Sequence, residues 1–326
     1  MIYPKFLQEN SLIGITSPSR GQGEKLEAFE KSLEHIKENN WRILETANVR
    51  AVGDVSGPPE ERAKQFMDLM TDDSVDMIMC ASGGDFLLDM LPYLEDHKIK
   101  DKWVMGYSDP TSLLYYITTK FDIATIYDHN AGSFDSTHLF DSQKMVFEYL
   151  KGNILPQESF NYHETNMESR VDGDYALTEK TEWKAVNGEV DITGRMIGGC
   201  LDCLQYLPGT KFDQTKKFVE KYKEDGFIWY FDVFALKTED VYLSLFQLKE
   251  AGWFEHVKGV IVGRVLFPNS FSSMTYEEAF QKILGDIPII MEADIGHVVP
   301  KMTIINGAIA HVTCKEGKGR IEQYLK

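Results

Sequence analysis

The chain has 326 residues, 43% of them hydrophobic and 26% charged, and a formal net charge of -17. That is the composition of a water-soluble globular protein large enough for two cores, with no apolar run long enough to cross a membrane. Binding to nucleic acid is excluded on charge, because phosphate-backbone affinity rests on clustered Lys and Arg.

The amino terminus MIYPKFLQEN has neither the basic region nor the apolar stretch of a secretory signal, so a cytoplasmic location is expected. From there short apolar runs and helical periodicities alternate. Residues 12–16, 41–45, 75–80, 103–105 and 123–126 read as strands. Helical spacing of apolar residues occupies 24–39 and 60–70, and more briefly 87–94 and 111–119. Alternating β and α predicts a parallel sheet with helices on both faces, which binds ligands outside the carboxyl ends of its strands. Two loops reach that edge: Cys80-Ala-Ser-Gly-Gly-Asp85 and Val104-Met-Gly-Tyr-Ser-Asp-Pro-Thr-Ser-Leu-Leu114.

In the second loop Asp109 reads as a helix N-cap and Pro110 as the first helical residue, which leaves Tyr107 and Ser108 in a tight strand-to-helix turn. A serine there projects its hydroxyl beside the amides and positive dipole end of the next helix, as many nucleophiles do. An ordinary turn serine bonding its own backbone fits the same pattern.

Between about Asn153 and Asp191 the sequence turns polar and reads as linker and loops, giving domains at 1–152 and 191–326 with 153–190 between them. The second domain resumes with Asp191-Ile-Thr-Gly-Arg-Met-Ile-Gly-Gly-Cys-Leu-Asp202, a strand at 227–231, a helix through 245–252, and strands at 259–263 and 287–291. Asn306-Gly307 lies between two alternating runs and predicts a hairpin with a type I′ turn. Of four cysteines, Cys200 and Cys203 have CxxC spacing, but Cys80 and Cys314 stand alone. With no second cysteine pair and no thioredoxin-like context, neither a metal site nor redox chemistry is expected, and the thiols read as buried on a helix.

A serine nucleophile needs a base, and the base an orienting acid. Among eight histidines, His297 follows an apolar strand that ends at Gly296, so its imidazole is released into a loop. His35, His97, His138, His163 and His256 lie in polar surroundings; His129 and His311 are not excluded by pattern. Asp232 closes the strand 227–231 and is the acid candidate, although carboxylates at strand ends are commonly solvated.

Gly106-Tyr-Ser-Asp-Pro-Thr-Ser-Leu-Leu114, Gly194-Arg-Met-Ile-Gly-Gly-Cys-Leu-Asp202, Leu207-Pro-Gly-Thr210 and Asp294-Ile-Gly-His297 together resemble the LD-carboxypeptidase family of serine peptidases, which includes the microcin C immunity proteins. Ile13-Gly-Ile-Thr-Ser-Pro-Ser19 and Gly83-Gly84 extend the likeness over nearly the whole chain.

The resemblance implies an α/β fold: an amino-terminal parallel-sheet domain, a carboxy-terminal α/β domain, and an active site between them carrying a Ser-Glu-His triad. It assigns Ser108 as nucleophile and His297 as base. The family's glutamate falls on Asp232, one methylene shorter, so the backbone must approach to compensate. The family's arginine before the paired glycines is replaced by Ser82. The amides of Gly84 and Asp109 would form the oxyanion hole, and Gly83, Arg195 and Trp183 would contact substrate.

The implied activity is metal- and cofactor-free hydrolysis of an amide in a murein tetrapeptide or an aminoacyl-nucleotide of the microcin C type, by a homodimer. The GRMIGGCLD motif leans toward the immunity branch. The alternative is a catalytically weak peptide- or nucleotide-binding member, for which Asp232 and Ser82 speak.

Overall fold

A computed structural model describes residues 1–165 and 174–326. The chain divides into two compact units, residues 1–154 with Asp174 and Tyr175, and residues 155–165 with 176–326.

In the first unit the alternation is as expected: β1 (Leu12–Thr16), α1 (Leu26–Lys37), β2 (Arg42–Glu45), α2 (Pro59–Thr71), β3 (Met77–Cys80), β4 (Trp103–Gly106), α3 (Thr111–Phe121), β5 (Thr125–Tyr127) and α4 (Asp141–Leu150). The strands run parallel in the order β5-β4-β3-β1-β2. MIMC of β3 and WVMG of β4 are buried at every position, which is why they appear in sequence as unbroken apolar runs rather than alternations. Residues 87–94 form a 3-10 segment, Leu87–Tyr93, instead of an α-helix, because Pro92 inside it cannot donate to a helical ladder. Register pairs Thr16 with Cys80, Met79 with Met105 and Gly106 with Tyr127, so the loops after β1, β3, β4 and β5 open on one edge.

The second unit contains β6 (Gln157–Glu158), β7 (Tyr162–Glu164), β8 (Leu177–Lys180), β9 (Lys184–Ala185), β10 (Val190–Cys200), α5 (Leu201–Leu204), α6 (Thr215–Lys221), β11 (Phe227–Asp232), α7 (Thr238–Glu250), β12 (Val257–Gly263), α8 (Tyr276–Leu284), β13 (Ile289–Ala293), β14 (Ile304–Asn306), β15 (Ile309–Lys315) and β16 (Lys318–Tyr324). Its main sheet has the order β6-β16-β15-β10-β11-β12-β13-β9, with β10 to β13 parallel and the flanking pairs antiparallel. β11, FIWYFD, is wholly buried and ends in Asp232. α8 is fixed at its start by reciprocal hydrogen bonds: Glu278 N–H donates to Thr275 Oγ1, and the Thr275 amide to Glu278 Oε2.

The stretch read as linker and loops carries the short strands β6 to β9, whose polar residues fit edge positions. The hairpin was expected around Asn306-Gly307 but is made by β15 and β16, with Glu316 at φ 49 and Gly317 at φ 77 in its turn. At residues 305–308 only Gly307 has positive φ, 92, and the Ala308 amide donates to Ile305 O, as in a type II turn. Asn306 is held out of a left-handed turn by its side chain, whose Oδ1 accepts from the Gly198 amide and the Tyr230 hydroxyl.

Candidate functional site

At the carboxyl edge of the first sheet the chain leaves β4 and turns at Ser108, which is half-buried and has φ 69. A non-glycine residue in that region is uncommon and costs energy, so it persists only where its surroundings fix it. They do. The Ser108 amide donates to Tyr127 Oη at 3.3 Å, and the Tyr107 amide donates to Asn130 Oδ1 at 3.1 Å. Asn130 Nδ2 returns a hydrogen bond to Tyr107 O at 3.3 Å, and Ser108 O accepts the Thr111 amide at 2.9 Å, which starts α3.

The glycine pair lies alongside. An ideal Cβ on Gly83 would stand 3.0 Å from both Cβ and Oγ of Ser108, so a side chain there would crowd the hydroxyl. Gly84, at φ 151, faces Ser19 instead, and a Cβ on it would strike the Ser19 hydroxyl. Gly83 O accepts the Arg20 amide at 3.1 Å.

Asp109 departs from expectation. Pro110, not Asp109, occupies the N-cap of α3, and no side chain caps that helix. The left-handed turn at Ser108 swings Asp109 toward the 83–87 loop, where its buried carboxylate accepts from the Ser19 hydroxyl and from the Leu87 amide at 2.9 Å. Burial raises its pKa, against the opposing pull of those hydrogen bonds. Asp109 therefore ties together the loops after β1, β3 and β4.

The same edge holds an Asp-His couple that pattern left open: His129 Nδ1 is 2.5 Å from Asp128 Oδ1. Both are buried, and the ring stacks on Phe134 at 5.3 Å, so His129 is packed inside the unit.

In the second unit Asp232 is fully buried and His297 is 8% exposed; Nδ1 of the imidazole lies 2.7 Å from Asp232 Oδ2. The His297 amide donates to Asp232 Oδ1 at 3.3 Å, so one carboxylate meets both backbone and ring. Gly296, at φ 97, makes this possible, for a Cβ on it would fall onto the Asp232 carboxylate. The ring also rests on Phe234, centroids 4.6 Å apart.

Cys200, on β10, is the cross-strand partner of Asp232 on β11. A hydrogen bond to the Cys203 thiol and burial hold its pKa well above the usual thiol range, with Asp232 and Asp202 adding to the effect. Asp202 accepts the amides of Phe234 and Ala235 and so secures the loop after Asp232.

Sequence reasoning passed over the support for the His297 loop. Asp294, fully buried, bonds Arg264 through Oδ1, and its Oδ2 accepts from Trp183 Nε1 at 2.9 Å and the Phe160 amide at 3.0 Å. Burial raises its pKa, while the Arg264 charge opposes. The motif Asp294-Ile-Gly-His297 held the available signal, an acidic residue directly after an apolar strand.

Two expected substrate contacts are corrected. Trp183 is 2% exposed, its indole N–H taken by Asp294 and its ring filling the space that a Cβ on Gly319 would need. It has no free face for a nucleotide base. Arg195 is 4% exposed; its Nε and one terminal nitrogen bond Asp225 Oδ2, the other bonds Gly307 O, and its guanidinium lies over Tyr222. It pairs in register with Phe227, five residues along the strand from the Cys200–Asp232 pair. That separates it by about 16 Å from the end carrying the acid. The fork is fully used in holding the opposite end of the sheet.

These are two α/β units of the kind that present reactive side chains at the carboxyl ends of parallel strands. The chain belongs to the LD-carboxypeptidase family: its amino-terminal domain model matches residues 13–128 and its carboxy-terminal domain model residues 193–312. A putative carboxypeptidase of Vibrio cholerae is 26% identical over 320 residues, 93% of this chain and 92% of that protein. The microcin C7 self-immunity protein MccF of Escherichia coli is 25% identical over 276 residues, 76% of this chain and 74% of that one. A structure of MccF in complex with glutamyl sulfamoyl guanosine shares the fold, with TM-score 0.80 at 19% identity over 100% of this chain and 99% of that one. An MccF-like protein from Bacillus anthracis gives TM-score 0.84 at 22% identity, covering 99% of this chain and 100% of that one.

Proposed function

We propose that the chain is a serine-type amide hydrolase in which Ser108 is the nucleophile, His297 the general base and Asp232 the acid that orients it. The observation that carries this reading is the buried Asp232–His297 contact of 2.7 Å at the end of a parallel strand. The left-handed turn at Ser108 supports it, since a fixed turn beside a helix start is the setting of an activated serine.

Ser108 Oγ attacks the substrate carbonyl carbon while the imidazole accepts the hydroxyl proton. The tetrahedral oxyanion is received by the backbone amides of Gly84 and Asp109. His297 then returns the proton to the leaving nitrogen as the C–N bond breaks. Water, activated by the same imidazole, hydrolyses the acyl-Ser108 ester. Asp232 keeps one ring nitrogen protonated and stabilises the imidazolium.

The substrate class we favour is an aminoacyl-nucleotide, for which the similarity to MccF, bound in its structure to an aminoacyl sulfamoyl nucleoside, is the support. An LD-linked murein tetrapeptide is the competing substrate, supported by the family to which the domains belong.

The test has two parts. A fluorophosphonate probe should add one adduct to the wild type, located at Ser108 by peptide mapping, and none to Ser108→Ala. An aminoacyl sulfamoyl nucleoside and an LD-tetrapeptide are then offered to the wild type, with cleavage of the nucleoside expected to be faster. Absence of labelling together with turnover of neither compound would leave a binding protein, and the hydrolase reading would be abandoned.

A further inference from the structure

Ser19, in the loop after β1, meets both residues whose amides the hydrolase reading gives to the oxyanion. We propose that Ser19 is the positioning residue of that oxyanion hole, setting Asp109 through a hydrogen bond and Gly84 through packing. This role rests on the hydrolase reading and deepens it.

Both amides are open to a ligand: among the described residues, neither the Gly84 N–H nor the Asp109 N–H donates a hydrogen bond within the protein. The loop after β1 orients the first of them. Gly83 O accepts the Arg20 amide at 3.1 Å, and a trans peptide points its N–H opposite to its C=O, so the Gly84 N–H is turned away from that loop. The same peptide runs beside the nucleophile, since an ideal Cβ on Gly83 would lie 3.0 Å from Ser108 Oγ. Ser19 stands behind it. A Cβ on Gly84 would strike the Ser19 hydroxyl, so only a bare Cα can rest there.

Asp109 is fixed by the same hydroxyl. Ser19 Oγ donates its one proton to Asp109 Oδ2, which also accepts the Leu87 amide at 2.9 Å. The Asp109 amide directly follows the left-handed Ser108, and such a turn holds its shape only where its flanks are anchored. Both Ser19 and Asp109 are buried, so a lost hydroxyl leaves the carboxylate short of a donor. Donors of an oxyanion hole act by standing in place before the charge develops. Removing the Ser19 hydroxyl should therefore slow the chemical step and spare reversible binding.

The test is the saturation kinetics of a fluorophosphonate probe, whose P=O oxygen takes the oxyanion's place during attack. Ser19→Ala should lower the limiting rate of Ser108 labelling by at least ~10-fold, toward the roughly 10²–10³-fold loss that follows removal of a donor, with the half-saturating concentration unchanged. On a cleaved substrate kcat should fall by the same factor at constant KM. Ser19→Cys, which fills the same space with a weak donor, should behave alike and serves if the alanine variant does not fold. Ser56→Ala is the control. Ser56 Oγ donates to Ser17 O in the same loop at 2.6 Å and bonds neither Asp109 nor the glycine pair, so its loss should lower the urea midpoint at a wild-type labelling rate.

Wild-type limiting rates in both Ser19 variants, a change confined to half-saturation, or equal slowing in Ser56→Ala would overturn the positioning role and leave the hydrolase standing. A wild type that takes no label and cleaves neither candidate substrate would end the hydrolase reading, and this role with it.

Discussion

Gly296 and Asp232 occupy one another's space: the carboxylate sits where a Cβ on Gly296 would be, and the glycine takes φ 97 to allow it. The close approach brings the backbone of the histidine loop onto the aspartate, and the ring nitrogen arrives 2.7 Å from Oδ2.

Gly296→Ala should therefore damage both stability and chemistry. A side chain at this φ costs about 1–3 kcal/mol. Its methyl group must also displace the carboxylate, and a misplaced base lowers the turnover number by on the order of 10²-fold. Urea unfolding and steady-state kinetics on one cleaved substrate measure the two effects. Wild-type turnover in the alanine variant would show that the close approach has no part in catalysis.

For Asp232 the direct contact decides between two outcomes. Asp232→Asn should cost on the order of 10⁴-fold in turnover number, because the histidine tautomer is then wrong. Asp232→Glu should lower the rate too, since Gly296 leaves no room for another methylene. A glutamate variant faster than wild type would mean that the aspartate contact is not the working geometry in solution.

Asn130 holds both the amide and the carbonyl of Tyr107, the residue before the serine. Asn130→Ala leaves two backbone groups without their partner, at about 1–3 kcal/mol for each that stays dry. Labelling of Ser108 by a fluorophosphonate should slow markedly at unchanged far-ultraviolet circular dichroism. Labelling at the wild-type rate would remove Asn130 from the positioning of the turn.

Arg195→Ala separates a structural arginine from a substrate ligand. Removing one member of a buried ion pair costs about 3–5 kcal/mol, and less here because Asp225 is 35% exposed and gains hydration. The expected result is a lower denaturation midpoint with KM unchanged. A rise in KM of tenfold or more at unaltered stability would return Arg195 to the binding site.

How far the sequence carried depended on the range of the interaction. The parallel sheet of the first unit was readable because β3 and β4 are buried on both faces and end at glycine-containing turns, both local properties. Ser108, Asp232 and His297 were nameable as candidates because each stands at or just beyond the carboxyl end of a strand, β4, β11 and β13.

Asp109 was misread because its carboxylate is claimed by Ser19, 90 residues away in sequence, so local helix-capping preference was overridden. Arg264 and Asp294 were missed for the same reason, since a pair 30 residues apart leaves no periodic trace. The strands β6 to β9 were lost in a polar stretch because two- to four-residue edge strands bury too little to imprint a pattern.

The left-handed backbone at Ser108 places an asymmetry on what this position can become. Glycine adopts φ 69 without strain, so the fold by itself would be more comfortable with the residue that has no hydroxyl. Ser108→Gly would therefore relax the backbone and remove the hydroxyl in one step.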